Sequence, residues 1–176
     1  RADGTYEDGV VFYLAGPDSM AFTPGQINRA AHFCGGRMQT RVPDLGESYS
    51  VSIWFWNGMP IDSRRVLGWM FGRGLNHCTQ ATGDGLGLNA KSQLIFSNGK
   101  ETLTGKTSAE RWKWHHALLV RDKEKVQVYL NGKLEISGEA NAMSNVETLF
   151  LGGRNNKESS WEGRLDEAAI FNRALS

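Results

Sequence analysis

The sequence predicts an all-β protein in which two antiparallel sheets pack face to face, and three observations carry that prediction. Glycine is abundant and proline scarce, 21 against four, and the glycines fall in short words: CGG, PDLG, WNG, GRG, GDG, SNG, LNG and LGG. Many short strands joined by tight turns need that punctuation. No apolar period of 3.6 residues is sustained over three helical turns, so helices are expected to be minor. The last third, from Trp114 to Ser176, reads as a strand, a tight turn, a strand, a hairpin on Asn131-Gly132 and two further strands separated by glycine turns.

Taken in order, Val10 to Leu14 (VVFYL) is a short apolar strand, and PDSMAFTPG after it is turn and loop. NRAAHFCGGRMQTRV, from Asn28 to Val42, holds a strand that ends in a glycine turn. In YSVSIWFW, from Tyr49 to Trp56, alternation sends Val51, Ile53 and Phe55 to one face and Ser52, Trp54 and Trp56 to the other. RDKEK at 121–125 mixes charge signs and is a solvated turn. At Asn131-Gly132 a two-residue turn would pair Leu130 with Lys133, and a three-residue loop would pair it with Leu134. The longer loop gathers Val126, Val128, Leu130, Leu134 and Ile136 on one apolar face, and burial favours that register, a longer loop with a bulge.

At 176 residues the chain is expected to form one domain over 1–176, large enough to bury a core without disulfide staples. A net charge of +1 argues against a nucleic-acid partner held by phosphate neutralisation. No stretch reaches the ~20 apolar residues of a membrane span, and no signal peptide is read. A chain that opens on Arg1 is expected to be a module excised from a larger protein or a processed product. Cys34 and Cys78 are the only cysteines: one bridge if the protein is exported, two thiols if not.

The words from Asn28 onward, in the order FCGG, YSVSIWFW, WHH, LNGK, LFLGGR and LDEAAIFNRALS, resemble the laminin-G-like jelly rolls of the concanavalin A-like lectin/glucanase group. Phe33, Gly35, Gly36 and Trp54 stand where that pattern places them. The resemblance implies a two-sheet antiparallel jelly-roll β-sandwich, a module of a larger protein, and a secreted, periplasmic or cell-surface address. It implies packing roles for Trp54, Trp114 and Trp161, and a structural WHH word with one histidine hydrogen-bonded beneath the sheet. It also implies one structural calcium, with Asp166 and the Gly35-Gly36 turn at the matching positions, since calcium takes carboxylate and carbonyl oxygens. The alternative for Asp166 is a turn cap or a pair with a basic residue such as Arg41.

Catalysis finds no support in the residues. Retaining glycan hydrolases need two carboxylates about 5 Å apart on one strand face, and no Glu-x-Asp-x-x-Glu word occurs. Glu135 and Glu139 have the outer spacing only, and Asp166 and Glu167 point to opposite faces. There is no G-x-S-x-G, P-loop or H-E-x-x-H motif. Six tryptophans instead suggest a carbohydrate partner, because an exposed indole stacks on the C–H face of a sugar ring. Trp56, Trp69 and Trp112 are the indoles in excess of family packing. Arg73, Asn76 and His77 after Trp69, and Arg154 and Asn155 before Trp161, are polar loop residues suited to sugar hydroxyls.

The expected function is a non-catalytic carbohydrate-binding module attached to a polysaccharide-active or cell-surface protein. The alternative is a structural or protein-interaction spacer whose Trp56, Trp69 and Trp112 are covered by a neighbouring catalytic domain.

Overall fold

The computed structural model describes residues 3–18, 27–61, 66–75, 83–142 and 146–176. Among these run fourteen strands and no helix. In chain order they are β1 (Gly4–Tyr6), β2 (Val10–Ala15), β3 (Arg29–Cys34), β4 (Met38–Arg41), β5 (Ser48–Asn57), β6 (Gly68–Arg73) and β7 (Gly85–Leu88). Then come β8 (Gln93–Ser97), β9 (Thr102–Ser108), β10 (Trp114–Asp122), β11 (Lys125–Leu130), β12 (Lys133–Glu139), β13 (Thr148–Leu151) and β14 (Glu162–Phe171). They form two seven-stranded sheets, β1-β4-β13-β6-β7-β8-β9 and β12-β11-β10-β5-β14-β3-β2, with antiparallel pairing between the strands. This is the expected jelly-roll sandwich, and the second sheet carries the candidate site.

Alternation builds the core. In β5 Val51, Ile53 and Phe55 are fully buried while Ser52, Trp54 and Trp56 lie half-buried on the other face. Ala117 and Leu119 of β10, Val126 and Val128 of β11 and Leu165 of β14 join them, opposite Phe71, Leu86, Leu88, Phe96 and Leu149 of the first sheet. Each large apolar side chain buried in this way contributes about 1.5–3 kcal/mol. Trp161 is wholly buried, edge-on to Phe55 at 5.8 Å, which agrees with its packing role. His115 is buried too, with Nε2 on the Glu110 carbonyl at 3.0 Å and Nδ1 against Asn131 Nδ2 at 3.2 Å. His115 is therefore the histidine of the WHH word that is hydrogen-bonded beneath the sheet, as the resemblance implied.

The hairpin corrects the expected register. Asn131 (φ 50°) and Gly132 (φ 79°) make a two-residue turn that pairs Leu130 with Lys133 and Tyr129 with Leu134, the left-handed pair that Asn-Gly adopts at low cost. A bulge then restores the phase, so that Ile136 faces Val128 and is buried while Leu134 is exposed. Glu135 is the extra residue. Its carboxylate accepts the Lys106 and Thr107 amides at 3.1 and 3.0 Å and the Thr107 hydroxyl at 2.7 Å, tying β12 to β9 across the edge of the sandwich. The expected bulge is present, but it follows a two-residue turn rather than a longer loop, and it buries Ile136 without Leu134.

The outer face of the first sheet is closed. Trp69 is only 5% exposed, and its indole lies over the glycines of β7, where a Cβ at Gly87 would stand 2.9 Å from the ring. The β13–β14 connection covers the neighbouring strand, with Gly153 and Arg154 lying directly on Gly72. Glycine inside a strand marks this kind of close approach.

Candidate functional site

The second sheet leaves its outer face open, and its register gathers partly exposed indoles there, whereas the exposed rings of Tyr6, Phe12 and Tyr13 border a cleft elsewhere. Trp114 of β10 lies opposite Trp56 of β5, Trp56 opposite Arg164 of β14, and Arg164 opposite His32 of β3. One row across four strands thus reads indole, indole, guanidinium, imidazole. His116 and Trp54 form the next row, their rings 5.3 Å apart.

Trp112 stands just before β10 with φ 64°, a left-handed backbone that a bulky residue adopts only when its surroundings impose it. Its amide donates to the Asn57 carbonyl at 2.9 Å, which anchors the turn to β5. The ring is 57% exposed and sits 5.0 Å from that of Trp56. Arg111 lies over Trp112 at 4.3 Å and Arg164 over Trp56 at 4.5 Å. The stack thus runs guanidinium, indole, indole, guanidinium, each cation–π contact contributing about 0.5–1 kcal/mol at a solvated site.

The electrostatics follow from burial and charge. His32 is held below the ordinary imidazole range, first by burial and then by the Arg164 charge, which Glu162 only partly offsets. His116 is lowered by burial, and its Nε2 meets the Ser52 hydroxyl at 2.8 Å. Both rings favour the uncharged form and serve as hydrogen-bonding groups. Arg164 Nη1 donates to the Ala15 carbonyl at 2.9 Å, while Arg164 Nε and His32 Nδ1 are buried without a hydrogen-bond partner.

Of the ligand residues expected from sequence, Trp56 and Trp112 come together at this face. Four others do not. Trp69, Arg73, Arg154 and Asn155 are buried, which leaves them almost no surface to offer a ligand. Arg154 stacks on Trp69 at 4.4 Å and donates to the Gly83 carbonyl at 2.7 Å. Arg73 donates to the carbonyls of Leu45, Gly46 and Val146. These guanidiniums satisfy loop carbonyls in place of water, a structural task. Asn76, His77 and Cys78 lie outside the described residues; Cys34, among them, is an exposed free thiol.

The expected calcium ligands are not brought together. Cys34 pairs with Glu162 and Ala31 with Leu165, so Asp166 lies about five residues along β3 from Gly35, or roughly 16 Å at the rise of a strand. Gly36 instead packs on the Asp8 carbonyl. Arg41 is not the partner of Asp166 either, since it pairs with Glu147 at 2.6 Å. Asp166 Oδ2 is buried without a hydrogen-bond partner, beside Gly16 and Asn28. It borders a cleft of about 420 Å³ at the sandwich edge, with Tyr6, Phe12 and Tyr13. Among the described residues no group of three or more His, Cys, Asp or Glu side chains gathers to hold a metal ion.

Sequence reasoning missed Arg111 and Arg164, and it assigned Trp54 and Trp114 to packing although both are partly open on the same face. Alternation in WEGRLDE places Arg164 opposite the buried Leu165, a legible signal. That its neighbour is Trp56 depends on strand pairing.

The laminin G 3 family, described as the concanavalin A-like lectin/glucanases superfamily, matches residues 35–176. No curated protein matches by sequence. Among solved structures, domain 4 of AbnA, an extracellular arabinanase from Geobacillus stearothermophilus in complex with arabinotriose, is 21% identical with a TM-score of 0.58, covering 95% of this chain and 84% of that one. The CBM40 domain of the Ruminococcus gnavus IT-sialidase is 14% identical with a TM-score of 0.61, over 76% of this chain and 80% of that one, and is also solved with α2,3-sialyllactose. The binding domain of botulinum neurotoxin serotype D is 14% identical with a TM-score of 0.66, over 99% of this chain and 44% of that one. At these identities the likeness is one of fold.

Proposed function

The chain belongs to the concanavalin A-like lectin/glucanase superfamily, and from that premise we propose that it is a non-catalytic carbohydrate-binding module whose binding face is the outer surface of β10, β5 and β14. The observation that carries the reading is the open indole pair: Trp112 is 57% exposed and buttressed by Trp56 at 5.0 Å. An indole left in water on a strained turn gains when a sugar ring covers it, and its flat face suits the C–H face of a pyranose. Arg111, Arg164 and His116 surround the rings with hydrogen-bonding groups for hydroxyls. Arabinotriose on the arabinanase domain and sialyllactose on the sialidase domain support a saccharide as the class of partner. The arabinanase is extracellular, which supports a secreted, periplasmic or surface address and a role beside a polysaccharide-active neighbour.

The proposal needs no catalytic group, and Glu135, one of the two glutamates with the outer spacing, is engaged with β9. A structural calcium belongs to the proposal at Asp166, whose buried Oδ2 has no hydrogen-bond partner and is the kind of oxygen such a cation takes. The Gly35-Gly36 turn has no part in that site.

The test is retention of the intact chain on a panel of soluble and insoluble polysaccharides, with and without calcium, repeated with Trp112→Ala and Trp56→Ala. Binding to one polymer class that Trp112→Ala weakens by about tenfold or more is the expected result. Binding that survives both substitutions overturns this face as the site. No retention on any polymer overturns the module reading and favours a spacer whose indoles meet a neighbouring domain.

A further inference from the structure

Arg164 is set apart by its place: it lies on the open face, stacked on Trp56, and makes no ion pair among the described residues. Arg37 pairs with Glu7, Arg41 with Glu147 and Arg121 with Asp84. Arg73 is satisfied by three backbone carbonyls, and Arg154 by a carbonyl and the field of Asp84. Arg164 is half-buried on the open face, and no carboxylate pairs with it among the described residues. One of its amino groups is held by Ala15, the plane is fixed on the Trp56 ring, and Nε is left unbonded. Beside it, His32 Nδ1 is likewise without a partner. Glu162, two residues away on the same strand, has an interaction of its own, and at His32 the Arg164 charge outweighs it. Arg111 adds a second guanidinium at the far end of the indole pair.

A fixed, partly desolvated guanidinium lacking an anion is the feature that recognises one, because the stacking holds its planar fork in place before the ligand arrives. From this, and resting on the reading of the face as a saccharide site, we infer that the ligand is an anionic glycan: a sugar ring covers Trp112 and Trp56 while its carboxylate or sulfate meets Arg164. Arg164 is then the specificity-determining residue, and the indoles supply the contact area common to any sugar. The overall charge of +1 hides this, since the preference resides in one uncompensated side chain.

The experiment measures binding of the intact chain at low and high salt to polygalacturonate, alginate and hyaluronan, each against its carboxyl-reduced neutral form, and to dextran sulfate against dextran. The expected result is binding to an acidic polymer that is about tenfold weaker for its neutral counterpart, falls with salt, and drops about tenfold in Arg164→Gln. Arg164→Lys, which keeps the charge and loses the fork, falls between the two, and a melt of each variant establishes that it is folded. Binding to dextran sulfate alone assigns the anion as a sulfate ester and supports the inference; binding to a uronate alone assigns a carboxylate. Equal binding to acidic and neutral forms, or acidic binding that Arg164→Gln leaves intact, overturns the inference while the indole face stands. No binding to any polymer overturns both.

Discussion

The outer faces of the two sheets are built from the same contact and put to different uses. On the first sheet Arg154 lies over Trp69 at 4.4 Å and Arg37 over Phe150 at 4.4 Å. On the second Arg164 lies over Trp56 at 4.5 Å and Arg111 over Trp112 at 4.3 Å. The geometry of ring and guanidinium is nearly identical; the cover is not. The β13–β14 connection folds across the first face and buries Trp69, Phe150, Arg37 and Arg154, whereas Trp112 on the second stays 57% exposed. An arginine on an aromatic ring is thus neither a structural nor a binding feature in itself. What decides is whether the chain supplies a lid, and where a lid exists the guanidinium turns to backbone carbonyls.

Matched truncations test this contrast most strongly. Trp69→Ala opens a large void between the glycines of β7 and the β13–β14 connection, and is expected to cost about 3–5 kcal/mol. Trp112→Ala removes a ring with little burial to lose, and is expected to change stability by no more than about 0.5 kcal/mol. Urea denaturation of both variants measures the difference. Similar losses for the two would mean that the second face is also structural and would break the comparison.

A smaller effect is expected at Gly87. A Cβ there would stand 2.3 Å from the Gly68 carbonyl oxygen and 2.9 Å from the Trp69 ring, so Gly87→Ala must push β6 or the indole outward. The expected cost is about 1–3 kcal/mol, as for overpacking elsewhere, and Trp69 fluorescence should shift to the red as water reaches the ring. An unchanged melt would mean that the indole is not seated on that strand.

The sequence made the sandwich legible because alternation and turn chemistry are local. YSVSIWFW announced its two faces, and Asn131-Gly132 announced its turn. It misjudged the hairpin register because a bulge at Glu135 is set by a partner on β9, which the local pattern does not contain. Trp112 and Trp56 looked surplus to packing, and they do meet on the open face. Trp69 looked surplus as well, and what it packs against is glycine, which gives no apolar signal. GLGL in β7 was the overlooked cue, since two glycines alternating on one strand face leave a trough the width of a ring. Arg73 and Arg154 were misread as loop donors because nothing local shows that a distant loop brings carbonyls to them. Arg164 was missed because its meaning arises only when β14 lies beside β5.

The smallest expected effect is one of pH in the carboxylate range, and it belongs to the closed face. Arg37 is 1% exposed and pairs with Glu7 at 3.0 Å on both oxygens, with Lys157 also at Glu7, 3.3 Å away. Burial by itself would raise the Glu7 carboxyl, but the hydrogen bonds and charges of Arg37 and Lys157 outweigh it and hold the group below the ordinary range for glutamate. A carboxyl whose folded pKa is depressed binds fewer protons folded than unfolded. Its contribution is therefore complete above the unfolded value and is lost as pH falls through the folded one. Because Glu7 is part-exposed and screened, the loss should be about 1 kcal/mol or less. Melting temperature measured from neutral to acid pH should fall less steeply in Glu7→Gln than in the parent chain, with the two curves converging at the acid end. Arg164 makes no ion pair among the described residues, but its charge helps hold His32 low, so Arg164→Gln should depart from the parent curve only where that imidazole titrates and run parallel to it in the glutamate range. If Glu7→Gln ran parallel there too, the lid over the first face would not depend on this ion pair, and packing on Phe150 would be what holds Arg37 in place.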